Sequence, residues 1–157
     1  MLRISTAQRL AAILWPEFVE RDGAILPAFV KASPAPGEFE TWTEYERFHS
    51  HTHIQDVFRC DVPDRHDAAL GLHRPDAASA SFSAAWAVAQ QMGQMWLAKL
   101  RMDFPAYRFR VYVTKLDDPI VQFHRVRAGE PPWLSDEGTA AAVAREELRI
   151  LDSRLNA

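Results

Sequence analysis

A chain of 157 residues, 48% hydrophobic and 25% charged, has the composition of an ordinary globular protein and the length of one domain. Its formal net charge of −3 excludes bulk attraction to nucleic acid or an anionic membrane, leaving only a local basic patch. The lone Cys60 excludes an internal disulfide and fits a reducing cytoplasm.

In chain order, Ser5 and Gln8 form a capping-box pattern, and Leu10, Ile13 and Leu14 follow at helical spacing. Pro16 disfavours helical geometry at Trp15, so a first helix should stop there. The apolar run "LAAILW" is too short for a secretory signal, and no stretch approaches the roughly 20 apolar residues that span a bilayer. The expectation is a soluble cytoplasmic protein with no membrane partner.

"EFVERDGAILPAFV" places two apolar runs about Asp22-Gly23, the signature of a tight hairpin. Pro27 cannot donate to a ladder, which makes the second strand an edge or shortens it. After the linker "KASPAPGE", Thr41/Glu44 and Thr43/Glu46 are overlapping capping boxes, and a helix over 42–59 is expected. Residues 60–78 show little periodicity; a surface crossing with a short helical turn ranks above a lid or binding loop.

"SASFSAAWAVAQQMGQMWLAKLRMDF" carries Phe82, Trp86, Ala89, Gly93, Trp96 and Leu100 along one face, widened by Ala85, Met92 and Leu97. This reads as the central core helix, ahead of an aromatic cofactor box, with Gly93 marking a close crossing. "YRFRVYVTKLDDPIVQFHRVR" alternates about "LDDP" as a second hairpin. Ser135 can then cap a final helix in which Ala144, Leu148, Leu151 and Leu155 share a face. The expected fold is a single two-layer α+β domain over residues 1–157, in the order α-β-β-α-α-β-β-α. Both hairpins would join one antiparallel four-stranded sheet with helices over one face.

Three of the six histidines fall in "HSHTH". On a continuous helix Glu46, His49, His53 and Asp56 form one stripe, while His51 points away as a solvated bystander. Two imidazoles four residues apart can share a metal, and a carboxylate one turn away can ligate or orient them. The spacing is weak by itself: no HExxH motif is present and no second histidine pair completes a site. An even loop in the second hairpin would turn Gln122 and His124 inward with Phe109, Val111, Val113, Ile120 and Val126. His124 could then join His49 and His53, with Glu46 or Asp56, at a catalytic site; His49 and His53 are the metal candidates. Structural, hydrogen-bonded histidines rank first, a catalytic or ligand pocket second and a divalent metal third. No cofactor is favoured.

The same parity would put Arg108, Arg110, Tyr112, Thr114, Val121, Phe123, Arg125 and Arg127 on the other face. Four guanidinium groups on paired strands repel unless acids or a bound anion neutralise them, and arginine suits planar phosphate or carboxylate recognition. A solvated face with acids nearby ranks first, a protein or anion surface next and nucleic acid last. Glycine-rich phosphate loop, nucleophile elbow, CxxC and EF-hand loop are all absent from the sequence. Cys60, a lone thiol beside Arg59 and Asp61, is read as inert.

The leading functional expectation is therefore a small binding or interaction module without its own catalytic chemistry. It would take a protein partner or a small anionic ligand through Arg108, Arg110, Tyr112, Phe123, Arg125 and Arg127 and the aromatics around "EPPWL", with homodimerisation a further expectation. The alternative is a small enzyme, with or without a metal, whose histidine-rich pocket lies between helix 42–59 and hairpin 107–127.

Overall fold

The computed structural model describes residues 4–31, 39–58, 64–67, 72–115, 118–134 and 136–153. Cys60, Arg59, Ser135 and Leu155 lie outside the described residues, as does part of the 60–78 connection. The chain is an α+β fold whose central element is an antiparallel four-stranded sheet packed by helices. Among the described residues no helix is long and apolar enough to cross a membrane.

Helix α1 (Ile4–Leu14) stops just ahead of Trp15-Pro16. Strands β1 (Phe18–Arg21) and β2 (Ala24–Pro27) form the expected first hairpin. Its turn is made by Asp22 at φ 51° and Gly23 at φ 91°, the positive angles that a two-residue loop matched to strand twist requires. This hairpin does not enter the large sheet; it forms a two-stranded sheet of its own.

The expected helix over 42–59 is broken. Thr41 caps α2 (Trp42–Ser50) by accepting from the Glu44 amide, as the first of the two capping boxes implies, while the Glu44 carboxylate accepts from the Glu40 amide. His51 leaves helical geometry, Thr52–His53 form the short strand β3, and α3 (Ile54–Phe58) follows. Pairing with the sheet outweighs local helix propensity, because β3 supplies a ladder to a strand that otherwise ends the sheet. The 60–78 connection contains a small hairpin, β4 (Asp64–Asp67) and β5 (Leu72–Pro75); the helical turn expected around Asp67–Leu72 falls on 68–71, outside the described residues.

Helix α4 (Ala80–Asp103) is capped by Ser79, which accepts from the Phe82 amide. It buries Phe82, Ala85, Ala89, Met92, Gly93, Trp96 and Leu100, the face that helical spacing implies. Gly93 is the close crossing: a Cβ there would lie 2.6 Å from Val113 Cγ2 and 3.4 Å from Leu151 Cδ1. The Trp96 indole donates to the Ile13 carbonyl at 2.9 Å and ties down the end of α1.

Strands β6 (Phe109–Thr114) and β7 (Ile120–Arg125) are the second hairpin. Phe109 lies opposite Arg125, Val111 opposite Phe123 and Val113 opposite Val121. The connection from 115 to 119 is therefore odd, five residues long, and reverses the parity expected from an even loop. Helix α5 (Asp136–Ala144) ends early; Glu146 adopts φ 56°, and Leu148–Asp152 form β8 alongside β6. The expected final helix through Leu155 is thus a helix followed by a strand, since β6 would otherwise be an open edge. Sheet order is β3-β7-β6-β8. Helices lie on both sides of this sheet: α4 over one face, and α5 on the other, where Ala142 packs with Tyr112 and Leu148.

Candidate functional site

The reversed parity decides which side chains meet. Phe109, Val111, Val113, Val121 and Phe123 point to α4 and are fully buried in the main core. Arg110, Tyr112, Thr114, Ile120, Gln122 and His124 share the opposite face, joined by Asp152 and Ile150 from β8 and His53 from β3. The face expected to hold four arginines is therefore divided. Arg108 and Arg110 both reach Asp152, at 3.4 and 2.9 Å. Phe123 is core. Arg125 lies 3.4 Å above the Tyr107 ring, with Glu20 at 3.8 Å. Arg127 turns to α2.

Glu46, fully buried on α2, is where Arg127 goes. Its carboxylate accepts two bonds from the Arg127 guanidinium, at 2.7 and 2.9 Å, and one each from the Ile25 and Arg125 amides, at 2.8 and 2.6 Å. Burial pushes its pKa up, and Arg127 and the two amides pull it down. With both oxygens occupied, Glu46 locks α2, the first hairpin and β7 together, which is a structural role. Ser50 continues that role, its hydroxyl accepting from the Phe123 amide and donating to the Phe123 carbonyl. Beyond β3, then, α2 side chains satisfy the outer edge of β7 where another strand would otherwise pair.

The expected histidine stripe is dispersed by the break at His51. His49 packs among Tyr45, Phe39 and Phe48, with ring centroids 4.4, 5.7 and 5.3 Å away. His53 instead stacks on His51 at 4.7 Å, and its Nδ1 meets Asp118 Oδ2 at 2.6 Å. The residue expected to be a bystander is thus the partner. Asp56 is exposed on α3. Among the described residues no three His, Cys, Asp or Glu side chains are grouped to hold a metal ion.

His124 is buried, as expected for a structural histidine, although on the polar face. Its Nδ1 faces the Arg125 carbonyl at 2.9 Å, and a carbonyl only accepts, so Nδ1 carries the proton. Nε2 then accepts from the Tyr112 hydroxyl at 3.1 Å. Burial holds His124 below the ordinary imidazole range against the help of the Arg125 carbonyl, and Arg110 and Arg127 depress it further. Burial also raises the Tyr112 phenol, opposed by Arg110.

Arg47, which the sequence did not single out, and Trp133 of "EPPWL" complete this strip. Arg47 on α2 lies over the Trp133 ring at 4.7 Å and donates to Gln122 Oε1 at 3.4 Å. Trp133 meets Tyr112 edge-on at 4.9 Å, so the "EPPWL" aromatic is engaged with the sheet. Helical spacing put Arg47 on the same side as His51, and that was the available signal for it. The Nε atoms of Arg47, Arg108 and Arg110 are all buried without a hydrogen-bond partner. No family model, curated protein or solved structure matches this chain.

Proposed function

We propose that this chain is a small binding module whose ligand is a small oxyanion, a phosphate or carboxylate, received on the polar face of the sheet. The observation that carries the reading is the trio of shielded guanidinium Nε–H donors on Arg47, Arg108 and Arg110. A buried donor left unmade costs about 1–3 kcal/mol, so each calls for an oxygen from ligand or water. Charge points the same way: Asp152 alone pairs with both Arg108 and Arg110, and among the described residues Arg47 forms no ion pair. Trp133 and Tyr112 would border the anion with aromatic surface. The lone cysteine supports a cytoplasmic setting as part of the same proposal.

Calorimetric titration with inorganic phosphate and with malonate at low salt tests this. Wild-type protein should bind at least one of them, and Arg47→Gln and Arg110→Gln should each lose the heat while keeping near-UV circular dichroism. Unchanged affinity in both variants overturns the proposal.

A protein partner or a second copy is the other reading, favoured by Phe48, which is 55% exposed although Phe39 and His49 gather round it. Sedimentation of wild type and Phe48→Ser tests it. A monomer in both cases removes self-association.

A further inference from the structure

The edge strand β3 brings a second group of polar side chains to the same face as Arg47, Tyr112 and His124. His53 lies opposite Ile120, two positions along β7 from Gln122, which Arg47 contacts. Asp118, in the connection between β6 and β7, is held beside it because the next residue, Pro119, accepts from the Ile54 amide at 3.0 Å. The 2.6 Å contact between His53 Nδ1 and Asp118 Oδ2 puts the ring proton on Nδ1, since a carboxylate only accepts. In the neutral ring Nε2 then carries the lone pair, and among the described residues no hydrogen bond to it is seen. The ring is 40% exposed while Asp118 is 13% exposed, so the carboxylate is sheltered and the outer nitrogen is open. His51, stacked at an interplanar angle of 17°, restricts rotation of the His53 ring.

An ordinary surface ion pair has neither a sheltered carboxylate nor a ring clamped by a neighbour. A carboxylate that orients an imidazole and steadies its cation is the arrangement that proton transfer requires. The other charges near the pair are Arg47 on α2, whose field reaches His51, and Asp56 on α3, whose field reaches Asp118. Gln55 lies on the Asp118 side. Both Arg47 and His53 therefore act on His51.

We propose that His53, positioned by Asp118, is a proton-transfer group for the oxyanion bound at Arg47. A protonated ligand oxygen, such as that of dihydrogen phosphate or a phosphate monoester monoanion, gives its proton to Nε2. The N–H bond forms as the O–H bond breaks, the oxygen keeps the electron pair, and Asp118 stabilises the imidazolium; the reverse step returns the proton. This inference rests on the anion-site reading above.

Two measurements test it separately from that reading. In the free protein, nitrogen-15 spectra of the His53 ring should show Nδ1 protonated and Nε2 bare, and Asp118→Asn should shift that tautomer. An Nε2–H tautomer in wild type, or no change in Asp118→Asn, overturns the proposal whether or not any anion binds. With inorganic phosphate bound at neutral pH, the same spectra should show Nε2 protonated, and calorimetry should show His53→Gln still binding phosphate. An Nε2 that stays bare in the phosphate complex overturns this inference and leaves the anion site standing, whereas no phosphate binding by wild type removes both.

Discussion

Where α4 crosses the sheet, Val111, Val113, Val121 and Phe123 are fully buried against Ala89, Met92 and Trp96, and contact is close enough to require a glycine at 93. On the reverse side Tyr112, Gln122 and His124 are also buried, yet hydrogen bonds and guanidinium groups do the holding. The first face owes its stability to shape, the second to satisfied polar groups. A low-dielectric setting strengthens a complete polar network and makes an incomplete one costly, so errors on the second side are the more expensive. It also explains why the three shielded Nε–H donors lie there: the apolar face offers no donors to leave unmade.

The contrast is best broken first at Glu46. Glu46→Ala removes the acceptor for Arg127 and for two amides, and should cost about 3–5 kcal/mol in urea unfolding, the usual loss on breaking a buried pair. A loss below about 1 kcal/mol would mean that polar satisfaction does not hold the edge of β7 to α2 and the first hairpin. Next comes Gly93→Ala on the apolar face. Val113 has little room to yield, and overpacking of this kind costs about 1–3 kcal/mol, measurable by thermal or urea unfolding. A neutral or stabilising alanine would show that the crossing can open.

A smaller effect sharpens the comparison through pH. Burial lowers the His124, His49 and His51 pKa values in the folded chain below the ordinary 6.5. Below that pH the unfolded chain takes up protons that the folded chain does not, so stability should fall on acidification. It is fully present above pH 6.5 and is lost as pH falls toward the depressed folded-state values. His124→Gln should flatten part of that slope in urea melts run between neutral and mildly acidic pH. An unchanged slope would take His124 out of the account.

Much of the fold was legible locally. The Asp22-Gly23 hairpin, the Thr41 cap and the buried stripe of α4 each follow from a few neighbouring residues, because their hydrogen bonds and rotamers close over short range. The candidate site was less so. His124 was read as a buried histidine and is one, but its partner is Tyr112 and not the histidine helix, and it shares a face with Arg110; Arg108, Arg110 and Tyr112 do lie together as read. Their grouping with Phe123, Arg125 and Arg127 fails, because a five-residue connection puts even- and odd-numbered positions of β7 on the opposite sides from a four-residue one.

By itself the sequence determined the α+β class, the central helix α4, the two hairpins about Asp22-Gly23 and "LDDP", and most of the residues able to carry chemistry. Tertiary structure alone decided that Thr52–His53 leave a helix to pair with β7, and that Leu148–Asp152 become a strand beside β6. The physical reason is common to both. An unpaired strand edge calls for partners from wherever the chain passes, and that demand is set by residues distant in sequence, outweighing the few tenths of a kcal/mol per residue by which local propensities differ. With those two strands in place, His53 joins Asp118 and parts from His49, and Arg110 gains Asp152.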